Sequence, residues 1–297
     1  MPHRFFPDKE FPFIHGEKSL TPQMAGWTYS GLTIIQLKAS IPHIVESAVL
    51  ANAEGALIPL NTTGLKVTID DKEFTLVGRR GVFESATDWI YCAPGSQVTI
   101  SSLNGGEVAI ATSVAEGRFS SCHVDALTEI EVRGSGDATR EVRPFMHPDY
   151  FKSAERLMAV EVITPDGNIS SYPPHRHDGI GECRVANEEI YYFRIGKVEL
   201  PHGDAEGFGF HRTYADAEYG IPFDETVTVH DGDIYLVPYG FHGPCSAMPG
   251  YPMYYLNVLA GENSSRSMDF CDDPNHAWIR QSWNRQIPDS RVPWKVK

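Results

Sequence analysis

Two closely spaced histidines in the second half of the sequence have the type and spacing of metal ligands. His175 and His177 are separated by one residue in the segment Ser-Ser-Tyr-Pro-Pro-His-Arg-His-Asp. In an extended segment, residues two apart point to the same face, so both imidazoles can reach one ion while Arg176 points away. Such a pair also occurs as surface histidines in a proline-rich loop, and the pair alone does not decide between the two.

Two further segments favour the metal site. Glu188 and Glu189 stand directly before a run of strand-forming residues, 190–194, and His242 follows a strand, a proline turn and a glycine turn in the segment 232–242. Three histidines and one glutamate suit a borderline divalent ion and leave one or two coordination positions for substrate oxygens. We therefore predict one divalent ion, with zinc or manganese favoured.

The segments that must position these residues are short β-strands. Both halves alternate apolar with polar residues in short runs, which are separated by Gly, Pro, Asn and Asp at a spacing of about ten residues. The pattern predicts an all-β fold, with a sandwich or barrel in each half. The segment 117–149 has the composition of a connector, and 274–283 has a short helical pattern. We predict a duplicated fold with domains at 1–143 and 144–297 and a short helical C-terminal tail.

Composition and charge exclude several classes of function. Lys+Arg number 25 against 39 Asp+Glu, which gives a net charge of −14. So acidic a chain is repelled by nucleic acid and by anionic membranes. The sequence has neither a run of about 18 apolar residues nor an N-terminal apolar segment typical of a signal peptide, so we expect a cytoplasmic protein. The five cysteines form no Cys-x-x-Cys pair, and we expect reduced thiols rather than disulfides or zinc ligands.

Segments along nearly the whole chain resemble a known family. They are Gly26–Tyr29, Gly78–Glu84, Ala115–Phe119, Thr164–Asn168, Glu188–Phe193, Gly207–Phe210, Pro249–Tyr251, Tyr254–Gly261 and Asp272–Pro274. His-x-His, a downstream Glu and Gly-x5-Pro-x-Gly-x-His are similar to the two cupin motifs. More specifically, the chain resembles the 5-deoxy-glucuronate isomerase family of bacterial myo-inositol breakdown, the IolB/KduI group.

The resemblance implies a bicupin, two jelly-roll barrels of which the C-terminal one binds the metal. The first half contains no His-x-His and is expected to be a degenerate, metal-free cupin domain. The acidic ligand is ambiguous, because Glu182 fits a count of seven residues after His175, whereas Glu189 directly precedes a β run. We favour Glu189, since a strand fixes a ligand better than a loop does. Glu188 would then face the other way, as a rim or base residue.

The resemblance also implies a reaction, the aldose–ketose isomerisation of 5-deoxy-D-glucuronate to 5-dehydro-2-deoxy-D-gluconate. A divalent ion bound to the C1 and C2 oxygens would acidify the C2 proton, and a base would carry that proton to C1; a hydride shift would give the same product. The alternatives are a metal-dependent cupin dioxygenase and a non-enzymatic sugar-binding cupin. A homo-oligomer is expected, with a uronate sugar as the small-molecule partner.

Several side chains are candidates for substrate contact and catalysis. The substrate carboxylate calls for an arginine, and we favour Arg212 over Arg194 because Arg212 shares a strand face with aromatic residues that could line the barrel. Tyr255 and Asn257 share one face of the last strand and could hydrogen-bond to sugar hydroxyls. The candidate bases, which the sequence does not rank, are Glu182, Glu188, Asp178 and His211.

Overall fold

The structure, a computed structural model, describes residues 4–198, 205–262 and 266–294. Nearly all its regular structure is β, as the sequence predicts. The α-helices in these ranges are two short ones, α1 (Pro22–Ala25) and α2 (Ile279–Ser282), the second of which lies in the predicted helical tail. No helix in these ranges is long and apolar enough to cross a membrane.

The first half of the chain forms two antiparallel sheets. Its strands are β1 (Phe5–Phe6), β2 (Glu17–Leu20), β3 (Ser30–Leu37), β4 (His43–Ile44), β5 (Ala53–Pro59), β6 (Thr63–Ile69), β7 (Lys72–Gly78), β8 (Trp89–Cys92), β9 (Val98–Ser101), β10 (Gly106–Val114) and β11 (Cys122–Val124). The larger sheet has the order β11-β8-β5-β10-β3-β2, and the smaller has the order β4-β9-β6-β7.

The second half repeats this arrangement. Its strands are β12 (Glu131–Arg133), β13 (Arg140–Arg143), β14 (Met158–Thr164), β15 (Ile169–Ser170), β16 (His175–Arg176), β17 (Glu188–Ile195), β18 (Gly209–Ala215), β19 (Phe223–Val229), β20 (Ile234–Val237), β21 (Phe241–Ala247), β22 (Met253–Ala260) and β23 (Cys271–Asp272). The larger sheet has the order β1-β20-β17-β22-β14-β13-β12, and the smaller has the order β19-β18-β21-β16-β23.

Most strands of the two halves correspond, apart from β1, β11, β12, β15 and β23. The run β8-β5-β10-β3-β2 corresponds to β20-β17-β22-β14-β13, and β4-β9-β6-β7 corresponds to β16-β21-β18-β19. Each half is thus a pair of antiparallel sheets with one core between them, the arrangement of a jelly roll. The duplication predicted from two β-rich halves is present in the topology, although no residue-level repeat signals it in the sequence.

Three apolar cores follow from this arrangement. The core inside the first half is aliphatic, with residues such as Leu57 and Ile100. The core inside the second half contains the aromatic rings of Tyr191, Phe193 and Tyr255. A third core joins the halves, because the outer faces of both large sheets pack on each other. Strands such as β14 are therefore buried on both faces.

The sheets cross the domain boundary predicted at residue 143. Strands β12 and β13 pair with β14 in the large sheet of the second half, and β1 from the N-terminus pairs with β20 there. The Gly, Ser and Pro content of the segment 117–149 predicted a connector. Short edge strands tolerate such residues, so their composition does not separate them from a loop.

One pair of cysteines corrects the prediction of reduced thiols. Cys183 and Cys271 form a disulfide, with their Cα atoms 5.7 Å apart. The other three cysteines are free, as expected. The bonded residues are 88 positions apart in the sequence. Spacing alone does not indicate a pairing over such a distance, because it depends on β23 lying beside β16.

Candidate metal centre

Three of the four predicted ligands line one cavity of about 420 Å³ in the second half, and the fourth lies beside them. His175, His177 and Glu189 line the cavity, and His242 is wholly buried next to it. His175 on β16 pairs directly with His242 on β21, and Glu189 comes from β17 in the large sheet. The two sheets of the jelly roll thus bring residues far apart in sequence to one place.

The donor atoms of three of these residues converge. His177 Nε2 lies 2.7 Å from Glu189 Oε2, and His242 Nε2 lies 3.1 Å from the same oxygen. The His175 ring is adjacent, with its centroid 4.3 Å from that of His242. Atoms that share one ion at about 2.1 Å lie roughly 3 Å from each other, so these separations fit ligands of a single metal.

Backbone carbonyls fix the ring tautomers of the histidine pair. His175 Nδ1 donates to the Pro173 carbonyl at 3.1 Å, and His177 Nδ1 donates to the Asn187 carbonyl at 3.2 Å. Each contact leaves the Nε2 lone pair available, which is how second-shell partners orient metal-binding histidines. The local geometry therefore prepares both imidazoles as ligands.

His242 supplies the strongest sign of a missing partner. Neither ring nitrogen makes a hydrogen bond with a described residue, although the side chain is fully buried. Burial, reinforced by the neighbouring histidines, holds its pKa well below the ordinary value, so the ring is neutral and able to coordinate. Its neighbour is necessarily a glycine, because a Cβ on Gly243 would lie 1.8 Å from the Ser171 carbonyl oxygen.

The pKa values of the histidine pair differ because only one of them touches the carboxylate. Burial lowers the pKa of His175 to about 4. Burial also opposes protonation of His177, but the adjacent Glu189 carboxylate outweighs it and raises the pKa. A divalent cation in place of that proton would satisfy the same carboxylate and leave all three rings neutral.

Of the two candidate acidic ligands, Glu189 is the one in this cluster. Glu182 is exposed on the loop between β16 and β17, and it is absent from the group of converging donors found among the described residues. Glu189 is 1% exposed and lies on β17, as the strand argument predicts.

The first half has lost the corresponding ligands. His43 on β4 pairs with Ile100 on β9, in the register in which His175 pairs with His242. Val45 takes the place of the second histidine of the pair. Both Ile100 and Val45 belong to the aliphatic core of the first half, so apolar packing occupies the positions that correspond to two of the candidate ligands.

Arg212 does not reach the cavity. Its guanidinium pairs with Asp224 at 2.7 Å, and the side chain is 37% exposed. The sequence prediction chose the wrong face of β18, since the buried residues are Gly209, His211, Thr213 and Ala215. The inside of the barrel is already occupied by large aromatic rings from the opposite sheet, and the facing strand supplies smaller side chains.

The other predicted contact residues divide between the cavity and the surrounding structure. Tyr255 and Asn257 line the cavity, and the Tyr255 hydroxyl lies 2.9 Å from Ser171 Oγ. Burial raises the pKa of Tyr255, so its hydroxyl stays protonated. Arg194 is committed to ion pairs with Glu107 and Asp231, both at 2.8 Å.

The remaining candidate bases also have structural partners. Asp178 binds Arg176 at 2.7 Å and accepts a hydrogen bond from the Gly240 amide. His211 is fully buried, with Nδ1 3.1 Å from Cys245 Sγ. Neither residue lines the metal cavity.

Glu188 joins the two halves of the molecule. Its carboxylate accepts hydrogen bonds from the backbone amides of Thr28, Tyr29 and Ser30 at 2.7–2.8 Å. Because it neighbours Glu189 on a strand, its side chain points to the opposite face, and it lines a different cavity. The geometry gives it a cross-linking role.

The sequence did not predict that arginine side chains line one side of the cavity that contains the candidate metal ligands. Arg133, Arg140 and Arg280 line the same space as the histidines. The first two lie within the segment interpreted as a connector. No local pattern distinguishes an arginine that faces a cavity from one that faces solvent until the strand pairing is known.

Comparison with known proteins identifies relatives along most of the chain. Residues 10–279 match the model of the KduI/IolB family. A 5-deoxy-glucuronate isomerase of Geobacillus thermodenitrificans is 33% identical over 266 residues, which cover 89% of this chain and 90% of that protein. The Bacillus subtilis (strain 168) 5-deoxy-glucuronate isomerase is 37% identical over 221 residues, 72% of this chain and 76% of that one.

Solved structures agree on the fold. An IolB-like protein from Salmonella typhimurium LT2 superposes with a TM-score of 0.80 at 29% identity, covering 93% of this chain and 99% of that one. Bacillus subtilis oxalate decarboxylase, a protein with Mn(II) centres, has a TM-score of 0.61 at 12% identity, covering 92% and 80% of the two chains. These similarities confirm the predicted family resemblance and the all-β bicupin fold.

Proposed function

This chain belongs to the KduI/IolB family, and we propose that it is a metal-dependent 5-deoxy-glucuronate isomerase. Relatives with that activity cover most of its length. The observation that carries the proposal at the site is the convergence of His177, Glu189 and His242 beside a cavity that Tyr255 and Asn257 also line. Neither the dioxygenase nor the non-enzymatic sugar-binding alternative gains support from the relatives.

The metal ligands are proposed to be His175, His177, Glu189 and His242. When bound there, a divalent ion would act as a Lewis acid toward the C1 and C2 oxygens of the sugar. The protein contributes neutral imidazoles with fixed tautomers and one carboxylate from a rigid strand. We propose zinc or manganese, to be decided by elemental analysis of the purified protein.

Tyr255 and Asn257 are proposed to orient the sugar. Tyr255 holds its proton on Oη, because burial raises its pKa. The hydroxyl donates this proton to Ser170 Oγ at 3.2 Å, and we propose that it turns from Ser170 to a sugar oxygen when the substrate binds. The Asn257 side-chain oxygen has no partner among the described residues and can accept a bond from a hydroxyl. Stacking of Tyr255 on Tyr191, with centroids 4.6 Å apart, keeps the ring in position.

Incubation of metal-loaded protein with 5-deoxy-D-glucuronate tests the activity. We expect NMR to show 5-dehydro-2-deoxy-D-gluconate. In D₂O, deuterium at C6 of the product, the carbon that was the C1 aldehyde of the substrate, would indicate proton transfer through an exchanging base, whereas its absence would favour a hydride shift. No ketose at any metal loading would contradict the proposal.

A matched pair of variants tests the acidic ligand. Glu189→Gln should lose both bound metal and turnover, whereas Glu182→Gln should keep both, since Glu182 lies on an exposed loop. The reverse result would identify Glu182 as the acidic metal ligand.

The cellular setting is also a proposal. We place the enzyme in the cytoplasm and in inositol catabolism, as expected for the family, and we expect a homo-oligomer. Light scattering after size exclusion measures the oligomer. Deletion of the gene followed by growth on myo-inositol as sole carbon source tests the pathway.

A further inference from the structure

One side of the metal cavity carries three arginines, and two of them have partners. Arg133 pairs with Glu131 at 2.6 Å, and Arg280 forms a two-pronged ion pair with Asp272. Their charges are therefore balanced by protein carboxylates. The third, Arg140 on β13, is the exception.

Arg140 carries a buried charge without a carboxylate partner. The residue is 8% exposed, and no described carboxylate lies within 4 Å of its nitrogens. Its hydrogen bond to a described residue goes from Nη1 to the Ala138 carbonyl at 3.1 Å, and its guanidinium lies 5.7 Å from the Trp283 ring. A guanidinium has five N–H donors, so most of its capacity is unused.

Such an arrangement costs stability unless an anion completes it. A buried charge is ordinarily paired with an opposite charge. The chain contains 39 acidic residues, so the lack of a carboxylate beside Arg140 does not result from a shortage of acidic side chains. Burial, together with repulsion from the neighbouring arginines, lowers the pKa of Arg140 to about 10, so the guanidinium is still charged at neutral pH but is less stable there than in water. The unused donors border the cavity that contains the candidate metal ligands.

We propose that Arg140 binds the carboxylate of the substrate and thereby makes the site selective for uronates over neutral sugars. The inference rests on the proposed function, since 5-deoxy-glucuronate carries its carboxylate at the end of the chain opposite to C1 and C2. A planar guanidinium can bind such a carboxylate by donating two parallel hydrogen bonds to its oxygens. The metal ligands and Arg140 would then hold the two ends of one substrate within one cavity.

The first test measures binding to metal-loaded protein by calorimetry. The probes are D-glucuronate and D-glucose. They differ in one group, which is a carboxylate in glucuronate and a hydroxymethyl group in glucose. We expect Arg140→Met to weaken glucuronate binding about 100-fold and glucose binding less than about threefold. Arg140→Lys should recover part of the loss, since it restores charge but not the planar fork.

The second test is steady-state kinetics with 5-deoxy-D-glucuronate. Because the carboxylate does not react, its contacts are equal in the ground and transition states, so Arg140→Met should raise KM while kcat changes little. Arg80→Met is the matched control, since Arg80 is an exposed arginine in the first half and should leave KM unchanged. Metal content and thermal melting check that each variant is intact.

The outcomes separate this inference from the function. If the wild type does not isomerise 5-deoxy-glucuronate, the proposed function fails, but the binding comparison still decides the role of Arg140. The inference is overturned if Arg140→Met weakens the binding of both sugars equally, or if the wild type binds the two sugars with equal affinity. In either case Arg140 lines the cavity without recognising the carboxylate. A fall in kcat with unchanged KM would overturn it as well.

Discussion

Replacing Glu188 with glutamine separates a structural role from a catalytic one. The sequence suggested that Glu188 is a rim or base residue, whereas the structure ties its carboxylate to three backbone amides at residues 28–30. We expect Glu188→Gln to destabilise the protein and to leave kcat essentially unchanged at temperatures where it is folded.

The magnitude follows from the three hydrogen bonds. A hydrogen bond to a charged group contributes about 1.5–3 kcal/mol, and a neutral one contributes about 1 kcal/mol. A glutamine oxygen at the Oε2 position keeps the bonds from Tyr29 and Ser30 in weaker, neutral form, and the bond from Thr28 is lost. With allowance for partial exposure of the site, the expected loss in free energy of unfolding is about 2–3 kcal/mol. For a chain of this size, that loss corresponds to a melting temperature lower by roughly 4–10 °C.

A structural counterpart in the first half supplies the control. Glu54 lies at the start of β5, one residue after Ala53, much as Glu188 begins β17. Its carboxylate accepts hydrogen bonds from the backbone amides at 155–157, just before β14. Glu54→Gln should therefore lower the melting temperature by at least as much, because Glu54 is fully buried.

The assay combines thermal melting with steady-state kinetics at 20 °C. A catalytic base contributes about 10²- to 10⁴-fold in rate. A drop of that size in kcat for Glu188→Gln, with unchanged melting and with Glu54→Gln fully active, would refute the cross-linking role and restore Glu188 as a base.

Three further predictions follow from the site and its surroundings. His242→Ala should reduce bound metal from about one ion per chain to near zero, and kcat by about 100-fold or more, as measured by elemental analysis and kinetics; a fully active variant would contradict the metal mechanism. Burial lowers the pKa of His211 to about 3, so unfolding takes up a proton below pH 6.5, and the stability of the metal-free protein should fall as pH drops from about 6.5 toward 3. Urea unfolding of His211→Asn should show a shallower fall, and an equal slope would count against this assignment. Cys183→Ser should lower the unfolding free energy of the oxidised protein by up to about 4.6 kcal/mol, the loop-entropy value for 88 residues, and the difference should vanish in reductant.

The four candidate metal ligands could be grouped from the sequence because their geometry is local or follows from strand order. His175 and His177 need only an extended backbone to share a face. Their neighbour across the sheet, His242, is the second residue of β21, directly after the proline and glycine turns from which its position was predicted. The choice of Glu189 depended on locating the start of one strand, and the structure has that strand at Glu188–Ile195.

The face of β18 could not be predicted in this way. The alternation of side chains along a strand divides its residues between two faces, but it does not say which face points into the core. Phe210 and Tyr214 suggested the wrong face, because aromatic residues are usually buried. The inner volume was instead taken by Tyr191 and Tyr235, whose rings lie 5.1 and 4.7 Å from the His211 ring. That competition for space is a property of the assembled barrel.

The duplicated fold divides its tasks between two similar halves. The first half fills its barrel with aliphatic side chains and gives up the ligand positions, as Ile100 shows, so its core can be packed for stability alone. In the second half, the buried His242 ring makes no hydrogen bond with a described residue, although its Nε2 lies 3.1 Å from Glu189 Oε2. Arg140 has no carboxylate partner among the described residues. We expect both arrangements to cost stability until ligands bind. The packed outer faces of the two large sheets and the paired cross-links from Glu54 and Glu188 connect the stable half directly to the strands that present the site. We therefore expect the packed first half to offset the cost of the polar cavity, so that substitutions that loosen this interface reduce metal retention even where the candidate ligands are unchanged.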